Sequence, residues 1–237
     1  MQKINIPSEE WKKIVMEGAA SMGIPMNDGQ ADQLTAHCEM LLAWNRKMNL
    51  TAIIDPYEVA VKHVLDSIAP ARWIEEETAV LDMGSGGGFP GIPLKILKPS
   101  LAMTLVDSSV KKVSFLKHVI RTLKLEKGEA VYGRLEALGL LEVYREKYQT
   151  VVSRSFAPLN RLIPWGLPFL APHGRIIALK GKNVDKELEE VNLLMNDGSQ
   201  KSGFHPDQIS IKTEYYQLPG SDMERALVVV EKKDRSV

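Results

Sequence analysis

The chain contains one cysteine, Cys38, among 237 residues. A single thiol cannot close an internal disulfide, and such sparing use points to a reducing compartment. There is no surplus of charge either: Lys plus Arg and Asp plus Glu both count 30. Net charge therefore singles out neither nucleic acid nor membrane, and any site for a polyanion must be local. No apolar run approaches the roughly 18 residues of a membrane span. Met1-Gln2-Lys3-Ile4-Asn5 also lacks a basic-then-apolar signal pattern, so a cytoplasmic location without membrane contact is expected. No Cys/His cluster has metal-ligand spacing, so no metal is expected. Internal repeats and low-complexity tracts are absent; the least patterned stretch is the polar segment 196–203.

What is present begins with a core: 44% of residues are hydrophobic, enough for a sizeable interior. A short apolar run, Thr78-Ala79-Val80-Leu81, reads as a buried strand and leads into Asp82-Met83-Gly84-Ser85-Gly86-Gly87-Gly88-Phe89-Pro90-Gly91. So many glycines let the chain turn sharply off the strand and let a ligand approach the backbone. Two readings of the spacing compete. Gly86, Gly88 and Gly91 fit the dinucleotide pattern G-x-G-x-x-G, which implies an NAD-dependent oxidoreductase or a nucleotide-binding regulatory module. Asp82, Gly84, Gly86 and Gly88 fit acidic-x-G-x-G-x-G, the pattern of S-adenosylmethionine-dependent methyltransferases. A dinucleotide loop opens directly into a helix whose N–H groups face the pyrophosphate, whereas Pro90 and Pro93 remove two such donors. S-Adenosylmethionine has no phosphate, and its ammonium benefits from a carboxylate such as Asp82. The methyltransferase reading is favoured; a glycine-rich turn without a ligand is the bland alternative.

Residues 1–75 read as a helical extension packed on the main domain. Ser8 caps a helix with Trp11, Ile14, Val15, Ala19 and Met22 on one face. Asn27-Asp28 opens a second with Leu34, Cys38, Leu41, Leu42 and Met48 as its stripe, where Cys38 is a small core residue. Asp55-Pro56-Tyr57-Glu58 combines an N-cap, a proline at the first helical position and a following acid, so a third helix starts there. From residue 76 to 237 strands alternate with helices, at 78–83, 102–107, 129–133, 149–154, 174–180, 209–217 and 225–232. This predicts an α/β seven-stranded Rossmann-like sheet, with the last two strands as an antiparallel edge hairpin.

Asp107 ends the second strand, where an acid can accept hydrogen bonds from ribose hydroxyls; it can equally cap the helix that follows. In that helix Val113, Leu116, Val119, Ile120 and Leu123 are expected to be buried. Its cations, Lys111, Lys112, Lys117, Arg121, Lys124 and Lys127, form either a solvated face or an RNA-contacting one. His63, Asp66 and Ser67 share one helix face, as a satisfied polar cluster or as part of a site. Arg154 follows the apolar Val151-Val152 and needs an ion-pair partner or a ligand there.

Several stretches together resemble one family. These are Asn49-Leu50-Thr51-Ala52-Ile53, His63-Val64-Leu65-Asp66-Ser67, the glycine loop with its Phe89-Pro90-Gly91-Ile92-Pro93 extension, Leu105-Val106-Asp107-Ser108, Ser153-Arg154-Ser155-Phe156-Ala157 and Ala178-Leu179-Lys180-Gly181. They are similar to the RsmG (GidB) family of bacterial small-subunit rRNA guanine-N7 methyltransferases. The resemblance implies a class I S-adenosylmethionine-dependent methyltransferase fold. It also implies action on the 530 loop of 16S rRNA, within the small subunit or an assembly intermediate, by a monomer. Carried over, it implies cofactor contacts from Gly84 and Phe89, the ribose on Asp107, adenine beside Leu135-Glu136, and Arg154 next to the reacting methyl. Asn49, His63, Asp66 and Ser67 would turn towards the active site. Met83 and Gly87 depart from common family residues without touching a proposed contact. Guanine N7 has a lone pair and no proton, so positioning suffices and no general base is required. In agreement with that, an Asn/Asp-Pro-Pro-aromatic tetrapeptide of amino-methyltransferases is missing after the fourth strand. A nucleophilic cysteine for pyrimidine C5 chemistry is missing as well.

Overall fold

The computed structural model describes residues 5–196 and 208–233. The polar segment 196–203, apart from the backbone of Asn196, lies outside the described residues. Three helical starts follow the capping chemistry. Helix α1 (Glu9–Ser21) is capped by the Ser8 side chain, which accepts from the Trp11 N–H. Helix α2 (Asp28–Met48) opens with a reciprocal capping box between Asn27 and Gln30. At α3 (Pro56–Glu58) the Asp55 carboxylate accepts from the Glu58 N–H. After that first turn the helix departs from expectation. Val59–Leu65 is π-helical, followed by α4 (Asp66–Ile68) and a 3-10 turn (Ala69–Trp73).

The remaining chain forms β1 (Ala79–Met83), α5 (Gly91–Leu97), β2 (Ala102–Asp107), α6 (Val110–Thr122), β3 (Gly128–Tyr132), α7 (Leu135–Leu138) and β4 (Tyr148–Arg154). Then come α8 (Leu159–Gly166), β5 (Leu170–Lys180), α9 (Val184–Asn196), β6 (Ile209–Gln217) and β7 (Glu224–Lys232). The seven strands lie in the order β3-β2-β1-β4-β5-β7-β6. Strands β1 to β5 pair in parallel, and β7 runs antiparallel to both β5 and β6. The edge hairpin is therefore as the sequence predicts. Strand β5 starts four residues earlier than expected, because Pro172, His173 with positive φ and Gly174 bend the chain where its register with β4 shifts.

Strand alternation sorts side chains to two faces. Val80, Met103, Leu105, Val152, Ile177, Leu179, Leu227 and Val229 share one apolar cluster with Trp11, Val15, Leu34, Cys38 and Leu41 of α1 and α2. Helix α6 joins it through Val113, Phe115, Leu116 and Val119, while Ile120 and Leu123, expected to be buried, are only partly covered. Leu81, Met83, Val106, Val151, Ile176, Ala178 and Val228 face the other way, against α7, α8 and α9. The order reverses between β1 and β4, and at such a switch point the carboxyl ends of the strands leave a crevice for ligands.

Candidate active site

The crevice is built at the ends of β1, β2, β4 and β5. Even-numbered Asp82 and Arg154 and odd-numbered Asp107 point to the face covered by the N-terminal helices, in phase with Val80, Val152 and Leu105. Two cavities open there. One, of about 310 Å³, is lined by Gly84, Asp107, Leu135, Glu136, Phe156 and Trp165, among others. The second, of about 480 Å³, is lined by Thr51, His63, Asp66, Gly86, Phe89, Arg154, Lys180 and Arg225, among others. Gly84, Lys112 and Ser155 belong to both walls, so the cavities adjoin.

The glycine loop spends its amides internally. The Gly84 and Ser85 N–H groups donate to Val106 O, those of Gly88 and Phe89 to Ser85 O, and that of Ile92 to Gly88 O. The Gly86 N–H donates to Asp107 Oδ2 at 3.0 Å and the Gly91 N–H to Asp82 Oδ2 at 2.9 Å. Those amides are not available to a pyrophosphate. Glycine is required at Gly84, where φ is +72° and a Cβ would stand 2.2 Å from the Phe156 ring. At Gly86, also of positive φ, a Cβ would meet only the Gly84 carbonyl at 3.9 Å and would project into open space. Gly88 instead presses on Ile92 and His37 beneath the loop.

Asp107 accepts from the Ser109 N–H at 2.8 Å as well as from Gly86, and Lys112 Nζ lies 3.8 Å away. A carboxylate has about four acceptor sites, so two protein N–H bonds leave lone pairs for hydroxyl groups at the mouth of the smaller cavity. Leu135 is buried and Glu136 exposed on the same wall. Asp82 is fully buried and lines neither cavity; burial pushes its carboxyl up to about 7. Its position supports the loop from below.

Around the larger cavity a polar network crosses the fold. Arg154 Nη1 donates to the Lys62 carbonyl at 2.6 Å and Nη2 to His63 Nδ1 at 2.9 Å, with the Asp66 carboxylate 3.4 Å from Nη1. Within the π-helical stretch the Asp66 N–H reaches the Val61 and His63 carbonyls, and the Lys62 carbonyl takes the arginine. Such π segments are frequent at functional sites. His63 stacks on Phe89 with centroids 4.6 Å apart, and Arg154 lies over the same ring at 5.0 Å. Burial lowers His63 to about 3, helped by the Arg154 charge. It is therefore neutral, accepts at Nδ1 and donates from Nε2 to Thr51 Oγ1 at 2.8 Å. Tyr216 from β6 donates to Asp66 Oδ1 at 2.7 Å.

Two expected neighbours stand apart. Asn49 is exposed and in the left-handed conformation that ends α2, a backbone state asparagine tolerates, and it lines neither cavity. Asn45, one turn earlier, makes the local bonds, to the Thr51 N–H and carbonyl. Ser67 is buried and donates to His63 O at 2.5 Å without reaching a cavity. His37, Phe156, Trp165, Tyr216 and Arg225 were not singled out by sequence reasoning as site residues. His37 sits in the α2 stripe, its Nε2 donating to Gly87 O at 2.9 Å. Its stripe position was the available signal; Tyr216 and Arg225 carried none.

The model of the family described as "rRNA small subunit methyltransferase G" (GidB) matches residues 30–208. The chain belongs to this family. Ribosomal RNA small subunit methyltransferase G of Alkaliphilus metalliredigens is 40% identical over 225 residues, covering 94% of this chain and 91% of that protein. The protein of the same name from Brevibacillus brevis is 40% identical over 223 residues, covering 93% and 90%. The fold is similar to that of a SAM dependent methyltransferase from Aquifex aeolicus, with TM-score 0.55, 13% identity and coverage of 77% of this chain and 96% of the other. It is also similar to the YcgJ protein of Bacillus subtilis, with TM-score 0.53, 13% identity and coverage of 73% and 100%.

The chain is thus a methyltransferase with the Rossmann-like class I fold. The oxidoreductase reading of Gly86, Gly88 and Gly91 is set aside, in keeping with the internally bonded loop amides of this methyltransferase. Among the described residues there is no helix long and apolar enough to cross a membrane, and no group of three or more His, Cys, Asp or Glu side chains placed to hold a metal ion.

Proposed function

We propose that the protein transfers the methyl group of S-adenosylmethionine to N7 of a guanine in small-subunit ribosomal RNA. It acts as a cytoplasmic monomer on the small subunit or on an assembly intermediate. The methyl donor fits the residues present. The smaller cavity offers the Asp107 carboxylate to ribose hydroxyls and the Leu135-Glu136 wall to adenine. Gly84, Gly86 and Phe89 border the space left for the methionine end, while Asp82 and Gly88 shape the loop beneath it. Bound, the cofactor supplies an electrophilic methyl group on a sulfonium sulfur.

The observation that carries the choice of N7 is that, among the described residues, the basic groups where β4 ends are already held. The Asp66 carboxylate, which lines the larger cavity, takes the Tyr216 hydroxyl and the charges of Arg154 and Arg225. Arg154 is a donor only, and His63 is neutral with Nδ1 already accepting from Arg154. Asp82, although pushed up to about 7, is sealed under the loop. An exocyclic amine or ribose hydroxyl must lose a proton, whereas N7 forms its bond to carbon as the carbon–sulfur bond breaks and loses none. Arg154 and His63 hold the wall of the larger cavity in place; in-line positioning supplies most of the acceleration.

Labelled-methyl transfer to small-subunit particles lacking their own modification, followed by digestion to nucleosides, tests this. The expected product is 7-methylguanosine. Label on N2, on a pyrimidine or on ribose would refute the assignment.

A further inference from the structure

Most cations around the larger cavity are already engaged. Arg154 spends Nη1 on the Lys62 carbonyl and Nη2 on His63. Lys180 Nζ donates to Ala157 O and Glu187 Oε2, both at 2.7 Å. Lys62 pairs with Glu58, and Lys112 is drawn to Asp107 on the far wall.

Arg225 differs. It stands opposite Tyr216 in the β6–β7 ladder and reaches the same cavity. Its Nε is buried without a hydrogen bond, 3.5 Å from Asp66 Oδ1, and Nη2 donates, among the described residues, to the Met223 sulfur at 3.9 Å. Nη1 lies 3.5 Å from where a Cβ on Gly181 would be, at a glycine of the cavity wall. Asp66 thus anchors the guanidinium by charge while its N–H groups remain without an oxygen acceptor among the described residues. A buried donor left unmade is costly; Nε is held there by the Asp66 charge, and Nη1 stands beside Gly181 on the wall of the space the substrate must enter.

Adenine and guanine both present an N7 lone pair, so N7 alone cannot select between them. They differ at position 6, where guanine has an acceptor oxygen and adenine a donor amine. An arginine, which only donates, satisfies the first and opposes the second. We propose that Arg225 donates to O6 of the target guanine and thereby rejects adenine. This rests on the guanine-N7 reading above.

The test uses small-subunit particles reconstituted with RNA carrying either guanine or 2,6-diaminopurine at the target position. The latter replaces O6 by an amine and keeps N7. For Arg225→Ala, kcat/KM on guanine is expected to fall roughly five- to a hundredfold. The diaminopurine value changes little, so the preference collapses. Arg225→Lys, which retains a donor, keeps most of it. S-Adenosylmethionine affinity, measured by calorimetry, stays at the parent value in both variants and reports an intact fold. Equal loss on the two purines would make Arg225 a phosphate or structural contact and overturn the proposal, as would unchanged kcat/KM. Product mapping with the parent protein judges the N7 reading separately: methyl on another atom sinks that reading, whereas the purine ratio in the variants judges Arg225.

Discussion

The two faces of the central sheet are made from the same strands by the same alternation, yet they hold different chemistry. Against α7, α8 and α9 lie Leu81, Met83, Val106, Val151, Ile176 and Val228, with the uncharged Thr104 and Ser153 and, at the end of β5, a single ion pair of Lys180 with Glu187 of α9. Against the N-terminal helices the strand ends carry Asp82, Asp107 and Arg154, joined by His63, Asp66 and Arg225. Charge is tolerated there because each group has a partner, and it is concentrated at the carboxyl ends where the crevice opens. The difference teaches that the buried charges of the fold gather on one face, at the strand ends, while both faces carry apolar core.

Breaking the charged face should have the largest effect. Arg154→Ala removes one of the two cations that hold buried Asp66, the other being Arg225, and should cost about 3–5 kcal/mol of stability. It should lower turnover more than cofactor affinity; normal turnover on rRNA would remove Arg154 from the reaction site. On the opposite face Leu81→Ala should cost about 2–5 kcal/mol in urea unfolding, with S-adenosylmethionine affinity unchanged in the folded protein. A matching loss of affinity would show the faces to be coupled.

Acid should distinguish the faces too. His37 is lowered from 6.5 to about 4 by burial, and His63 to about 3. A histidine depressed in the fold contributes stability that is complete above its unfolded value of 6.5 and lost as pH falls towards the folded value. Asp82, raised to about 7, opposes this, since its ionisation costs stability as pH rises from about 4 to 7. Two histidines outweigh one carboxyl, so stability should fall on acidification below about 6.5. His37→Gln, which can still donate to Gly87 O, should remove roughly 3 kcal/mol of that fall, read from melting temperatures between about pH 4 and 7.

Asp107→Ala should weaken S-adenosylmethionine binding by roughly ten- to a hundredfold, a loss of about 1.5–3 kcal/mol. Unchanged calorimetric affinity would exclude it from the site. The smallest effect concerns α6. Lys111, Lys117 and Arg121 are exposed, whereas Lys112 leans on Asp107. Reversing the three exposed charges to Glu should lower the salt slope of RNA binding by about one unit per lost phosphate contact. An unaltered slope would make that face plain solvated surface.

Much of the sheet was legible because apolar runs of strand length and caps such as Ser8, Asn27 and Asp55 are local signals. The start of β5 was not, since Pro172 and Gly174 read as a turn while the strand accommodates them by a shift of register. The π-helical stretch was hidden for a related reason: Val59, Ala60, Val64 and Leu65 are apolar in a spacing that suits an ordinary helix. In the site, the loop, Asp107 and Arg154 announce themselves as polar groups at strand ends. Asn49 misled because its role is to end a helix. Tyr216 and Arg225 lie on a hairpin whose own sequence shows only alternation, and their meaning comes from Asp66, 150 residues before Tyr216.

That separation has a consequence for how the protein is made. At about 5–20 residues per second of synthesis, roughly 8–30 seconds pass between Asp66 and the tyrosine that holds it. Strands β1 to β5 emerge within that interval to cover the apolar stripes of the N-terminal helices, but Asp66 lacks two of its three partners until the β6–β7 hairpin follows. A chain halted before β6 would carry the whole glycine loop and still have an unfinished pocket, so the β6–β7 hairpin decides when the pocket around Asp66 is complete.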